Sequence, residues 1–335
     1  MNQFLKMISC AVLFVFLGCQ TITQVDDDPS NTYTPETTYQ KLAADYPFIT
    51  IARRDVPDSV VEIKNITYVR YGKRALQLDL YLPESSITHL KPGVVFVHGG
   101  GWRSGYRTNF TPMAIGLAQR GYVTATISYR LAGEAKYPAA IHDVKAAIRW
   151  LRSNAKKYGV NPQQIAVAGG SAGGQIASLT GVTNGLEKFD PQLHRSRISS
   201  DVQAIINIDG LSDFTSEAAR LNEDDPRKNP SAAGFWFGGR YAEKTDLWHE
   251  ASPTFYVHKN TPPILFLISA QPRFSVGHEE MIEKMKPFGI AYQVSKIPDS
   301  PHSFWLFEPW LQPSINIAEQ FLNQQFKIMR SDSAR

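Results

Sequence analysis

Two rhythms of apolar and polar positions trade places along the chain between residues 60 and 300. Residues 60–69 and 75–82 carry a period of two, clearest where Gln77, Asp79 and Tyr81 alternate with Leu78, Leu80 and Leu82. That spacing puts one set of side chains on a single face, and the turn-prone Tyr71-Gly72-Lys73-Arg74 between the runs predicts an antiparallel hairpin. Strand-like runs follow at 93–97, 121–129, 165–168, 201–208, 263–269 and 292–297, each of a length suited to one strand of a sheet. Helical stretches fall between them, at 113–118, from Tyr137-Pro138 to about Tyr158-Gly159, and at 277–286. In the second of these, Ile141, Val144, Ile148 and Leu151 share one face, and His142, Lys145, Arg149 and Arg152 are assigned mostly to the other. Strand and helix in alternation predict an α/β fold: a mostly parallel sheet with right-handed crossovers, helices on both faces and the antiparallel hairpin at its start. Residues 211–261 show no sustained rhythm and read as a long irregular insert, well placed to cover a site.

The first residues have a different character. Lys6 precedes an apolar run at 7–17, too short to span a bilayer and proportioned like the core of a signal peptide, so residues 1–18 are expected to be removed. Gly18-Cys19 resembles the lipobox of bacterial lipoproteins, in which the cysteine is acylated, although Phe16 is bulkier than usual there. An ordinary secretory signal is the alternative. Residues 19–45, rich in Thr, Asp and Pro, read as a flexible spacer, and 46–330 as one folded domain. The expected product is exported and lipid-anchored at Cys19, on the periplasmic or cell-surface side of a membrane. The one other cysteine, Cys10, would leave with the signal.

With 335 residues, 43% of them hydrophobic and 20% charged, the chain can bury a sizeable single core. The net charge of +4 is small, and the lysines and arginines are scattered, which argues against a nucleic-acid partner.

The chemistry is concentrated where two strands break into glycine. Residues 165–168 run into Gly169-Gly170-Ser171-Ala172-Gly173-Gly174, a G-x-S-x-G pattern between a strand and a helix. Small residues on both sides let the Ser171 hydroxyl stand clear of the backbone. The N–H of Ala172, at the start of the following helix, would face a developing oxyanion. Upstream, the strand at 93–97 ends in His98-Gly99-Gly100-Gly101-Trp102, a loop whose glycines allow backbone N–H groups to point at a ligand.

The succession of hairpin, His-Gly-Gly-Gly-Trp strand end, serine elbow and late histidine resembles the α/β-hydrolases. Within that superfamily it is similar to the hormone-sensitive-lipase-like carboxylesterases. Residues 137–174 and 262–310 look like bacterial esterases that deacylate plant polysaccharides, such as acetylxylan, feruloyl and pectin acetyl esterases. The resemblance implies the α/β-hydrolase fold, Ser171 as nucleophile, His302 as general base, and an oxyanion hole from Gly100, Gly101 and Ala172. It implies neither cofactor nor metal. His302 is the histidine that lies in the loop after the last predicted strand.

The acid departs from the family pattern. Gln271 occupies its usual position, and an amide cannot stabilise imidazolium as a carboxylate does. Asp209, at the end of the preceding predicted strand, is the first candidate. Glu279 and Glu280 come next, followed by Asp213 and Asp299. Aromatic residues near the insert and the late histidine, chiefly Trp102, Trp236 and Trp305, are candidates for binding a sugar or phenol. The function expected is hydrolysis of acetyl or aromatic acyl esters on a plant-type glycan. A peptidase of the same superfamily, and a glycan-binding lipoprotein with a decayed triad, are the rivals. Oligomeric state is left open.

Overall fold

The computed structural model describes residues 32–84 and 89–327. In chain order, helix α1 (Pro35–Leu42) and strand β1 (Thr50–Ile51) lead into the hairpin β2 (Val60–Tyr71) and β3 (Arg74–Pro83). Next come β4 (Lys91–Val97), α2 (Thr111–Ala118), β5 (Val123–Ile127), α3 (Ala139–Ser153), α4 (Ala155–Tyr158), β6 (Val160–Gly170) and α5 (Ala172–Val182). After β7 (Ala204–Ile208) stand α6 (Glu217–Glu223), α7 (Ala232–Phe237) and α8 (Tyr241–Glu250). The chain closes with β8 (Ile264–Ile268), α9 (His278–Met285), β9 (Tyr292–Lys296), β10 (Phe307–Glu308) and α10 (Leu311–Phe326).

Eight strands form one sheet in the order β2-β3-β5-β4-β6-β7-β8-β9. The pairs β2–β3 and β3–β5 are antiparallel and the rest parallel, and β1 with β10 makes a separate two-stranded antiparallel sheet. Because side chains alternate across a strand, β4 feeds both layers. Val95 and Val97 join the core under α3 and α5, while Val94 and Phe96 join the core under α2 and α10. Full burial of a Val or Phe side chain stabilises the fold by roughly 1.5–3 kcal/mol, so the central strands carry much of the molecule.

Register brings the functional segments to one edge. Val97 lies beside Gly169, and Gly170 beside Ile208. The Ser171 N–H donates to the Ile208 carbonyl at 2.8 Å, and the Asp209 N–H to the Leu267 carbonyl at 3.0 Å. The loops after β4, β6, β7 and β8 therefore open at the same carboxyl end of the sheet.

Several sequence expectations are corrected. Residues 34–42, assigned to the spacer, form a capped helix: Thr34 and Thr37 make a reciprocal capping box and Pro35 opens the first turn. Tyr33, Tyr39, Leu42 and Tyr46 pack against the core beneath α10, a tertiary contact that no short-range pattern shows. The insert at 211–261 is not irregular, for it contains α6, α7 and α8. Ser216 and Ser231 cap the first two, and helices of 7, 6 and 10 residues are too short to display a stripe. Lys145, placed on an outer helical face, is fully buried. Helix α10 and the β1–β10 pair were not anticipated. The signal segment and Cys19 lie outside the described residues.

Candidate active site

The site is built from strand ends. Ser171 sits between β6 and α5 with φ 57° and ψ −126°, a backbone shape that side chains rarely tolerate. The turn closes only because its neighbours are glycines: a methyl on Gly173 would collide with the carbonyls of Val97 and His98, and one on Gly169 with the carbonyl of Gly173. His302 comes from the loop between β9 and β10. Its ring lies flat on Phe274, with centroids 3.5 Å apart at 7°, and meets Trp305 edge-on at 5.4 Å.

Three side chains form a continuous hydrogen-bonded line. His302 Nε2 is 2.9 Å from Ser171 Oγ, and His302 Nδ1 is 3.0 Å from Asp209 Oδ2. A carboxylate can only accept, so Nδ1 carries the proton and Nε2 is free to accept from the serine hydroxyl. The second oxygen of Asp209 accepts the backbone N–H of Ser269 at 2.8 Å, which locks the carboxylate in place. Burial lowers the His302 pKa below 6.5, and the hydrogen bond to Asp209 opposes that shift. The imidazole is thus neutral at pH 7 and able to take a proton.

Gly100, Gly101 and Ala172 line the same pocket as Ser171 and His302. Ala172 opens α5, so its N–H is one of the donors that a helix leaves unpaired at its start. Gly100 has φ +115°, and the loop around it is propped from beneath by His98. His98 donates from Nδ1 to the Gly99 carbonyl at 2.8 Å and stacks on Tyr129 at 4.4 Å. Burial depresses its pKa to about 4, so it stays neutral and serves as scaffold.

The other acid candidates stand elsewhere. Asp213 accepts from the N–H groups of Thr215 and Ser216, a turn-stabilising arrangement. Glu279 and Glu280 are exposed in the first turn of α9, and Asp299 occupies an exposed turn. Gln271 donates its N–H to Ser269 Oγ at 3.1 Å. The decayed-triad rival rested on Gln271, and Asp209 reaching His302 from the neighbouring strand removes its motive.

Of the aromatic candidates, only Trp102 lines the pocket. Its Nε1 donates to Gln175 Oε1 at 3.0 Å, and its ring stacks on Trp236 at 5.1 Å. Trp236 and Trp305 are corrected to core residues, 0% and 1% exposed, because each fills the space behind a loop that forms the site. Sequence reasoning missed the actual walls. Thr32, Tyr33, Thr38, Lys41 and Leu42 supply one side, and Asn222, Glu223, Lys228, Arg273 and Phe274 the other. Tyr33 Oη bonds Ser303 Oγ, one residue beyond His302, at 3.0 Å. The cleft, open to solvent, has a volume of about 520 Å³, room for an acyl group and part of its alcohol.

A serine elbow, a neutral histidine and a carboxylate held on successive strand ends of a mostly parallel sheet define an α/β-hydrolase with a Ser-His-Asp line. The chain belongs to the BD-FAE family, whose model matches residues 78–273. Among curated relatives it is 27% identical over 278 residues to the probable carboxylic ester hydrolase LipM of Mycobacterium tuberculosis, an alignment covering 80% of this chain and 62% of LipM. It is 32% identical to esterase LipQ of the same organism, covering 70% of this chain and 55% of LipQ. The chain thus spans about three fifths of the length of these relatives. Among solved structures, the thermophilic esterase Est2 of Thermogutta terrifontis matches with TM-score 0.65 and 25% identity, covering 81% of this chain and 94% of Est2. A truncated carbohydrate esterase from gut microbiota shares the fold, with TM-score 0.66 and 22% identity over 82% of this chain and 99% of that one.

Proposed function

We propose that the protein is a serine carboxylic ester hydrolase acting on acetyl or aromatic acyl esters carried by a glycan. The observation that carries the ester-hydrolase reading is the hydrogen-bonded line Ser171–His302–Asp209 opening into a pocket with the Gly100, Gly101 and Ala172 backbone. Ser171 Oγ attacks the ester carbonyl as His302 Nε2 takes its proton, and the three N–H groups hold the oxyanion. The tetrahedral intermediate collapses, His302 returns the proton to the leaving alcohol oxygen, and an acyl-serine remains. Water, deprotonated by His302, attacks this acyl-serine, and the proton passes back to Ser171 Oγ as the free acid departs.

The names of the relatives and of Est2 support ester hydrolysis. The glycan part rests on the likeness of residues 137–174 and 262–310 to polysaccharide-deacylating esterases. Export and acylation at Cys19 belong to the same proposal and rest on the leader pattern alone.

The test is hydrolysis of p-nitrophenyl acetate together with labelling by a fluorophosphonate probe. Both are expected in the wild type and absent in Ser171→Ala; labelling that survives the substitution would overturn the nucleophile assignment. A panel of acetylated xylan, acetylated pectin and methyl ferulate then sorts the acyl group and the sugar. Failure on all three, with p-nitrophenyl acetate cleaved, removes the glycan half of the proposal.

A further inference from the structure

Three cations from three separate parts of the chain border the pocket that holds Ser171. Lys41 lies in the last turn of α1, Lys228 in the connection between α6 and α7, and Arg273 in the turn after β8. None of the three is in a salt bridge among the described residues. Exposed lysines and arginines on a protein surface are ordinary, but three converging on one cavity from opposite walls are not explained by the fold. Against them stands one carboxylate in the pocket besides Asp209, that of Glu223. Burial raises the Glu223 pKa, and the charges of Lys228 and Arg273 oppose that shift, so one carboxylate faces three cations.

Arg273 has two contacts beside the pocket. Its guanidinium lies 4.0 Å above the centre of the Phe274 ring and donates to Asn222 Oδ1 at 3.2 Å. Phe274 in turn lies face to face with His302 at 3.5 Å. The cation is therefore stacked, through one aromatic ring, on the imidazole that must hand a proton to the departing oxygen. General acid catalysis requires that oxygen to lie within hydrogen-bond reach of His302 Nε2, so the alcohol half of the ester passes the His302 side of the pocket, where Arg273 stands.

We propose that the pocket selects esters whose leaving sugar carries an anionic group, a sugar acid or a sugar phosphate, held by Arg273, Lys228 and Lys41. This deepens the ester-hydrolase reading and rests on it. A carboxylate or phosphate in that space is bordered by cations from both walls, and a guanidinium can bind a carboxylate at two points.

The experiment compares three acetyl esters of one scaffold: methyl glucoside, its uronate, and its 6-phosphate. The kcat/KM for an anionic ester is expected to exceed that for the neutral one at 20 mM salt, with the ratio falling toward unity near 0.5 M. Whichever anionic arm is favoured identifies the source of the charge. Arg273→Gln, Lys228→Gln and Lys41→Gln are each expected to lower the anionic-to-neutral ratio about threefold to fivefold, with partial recovery in Arg273→Lys. A ratio near one at low salt, or one unmoved by all three substitutions, would sink the proposal. The salt series uses the unaltered protein and so stands even if a variant folds poorly. Cleavage of the neutral ester without charge preference defeats this inference alone; cleavage of none of the three while p-nitrophenyl acetate is cleaved defeats this inference and the glycan half, and failure on p-nitrophenyl acetate as well defeats the ester-hydrolase reading.

Discussion

At the scale of single residues, strained backbone gathers at the pocket. Seven non-glycine residues among those described have positive φ, and four of them, Trp102, Ser171, Asp209 and Ser303, line it. Such positions cost about 1–3 kcal/mol each and persist only where surrounding contacts enforce them. At Asp209 those contacts are the Leu267 carbonyl behind it and the Ser269 N–H beside it, so its carboxylate meets His302 already oriented. Asp209→Asn is expected to lower kcat about 10⁴-fold while fold and substrate binding persist, because an amide lets the imidazole adopt the wrong tautomer. Near-normal turnover in that variant, followed with p-nitrophenyl acetate, would remove Asp209 from the mechanism. Burial pushes the His302 pKa below 6.5, and the base works only when neutral. The acidic limb of the kcat/KM profile is therefore expected below pH 6.5, and a limb at or above pH 7 would contradict the geometry. Ser171 and the glycine loop were legible in the sequence because a tight turn demands local residue types. Trp236 and Trp305 were misread because an indole looks the same whether it faces a ligand or the back of the loop that forms the site.

At the scale of elements, α5 is used at both ends. Its first residue, Ala172, lines the pocket, and its last carbonyls meet the buried ammonium of Lys145, which donates to Thr180 O at 3.2 Å and Thr183 O at 3.0 Å. A cation there complements the partial negative charge of the helix end. Burial holds the Lys145 pKa down at about 8, against 10.5 for a free lysine. Between those values the unfolded chain binds more protons than the folded one, so this group adds stability as pH rises and loses it as pH falls through 8. Urea unfolding at pH 7.5, 8.5 and 9.5 is expected to show a rise of up to about 1.4 kcal/mol per pH unit relative to Lys145→Met, in which that slope is missing. Parallel curves for the two proteins would refute it. Periodicity put Lys145 outside because a helical pattern sorts polar from apolar residues and cannot show that a second helix ends above one of them. The strands were easier to read, since Val94 to Val97 are apolar on both faces and a central parallel strand has no other way to be.

At the scale of the whole molecule, the sheet supplies the reacting groups and the pieces outside it supply the walls. The hairpin and the parallel run were visible from periodicity. Helix α1 was not, for its order comes from Tyr33, Tyr39 and Leu42 resting on a core assembled some 270 positions further along the chain. The double variant Tyr33→Ala, Leu42→Ala is expected to lose about 2 kcal/mol of stability and to raise KM for a glycan ester, with fluorophosphonate labelling of Ser171 retained. An unchanged KM would show that this wall touches no substrate. Thr32 and Lys41 both border the cleft, so the first described residues and the last turn of α1 run along the lip of the opening. A bulky group coupled at Thr32 would sit at the doorway itself and hinder large polymers, whereas a handle elsewhere would leave it clear.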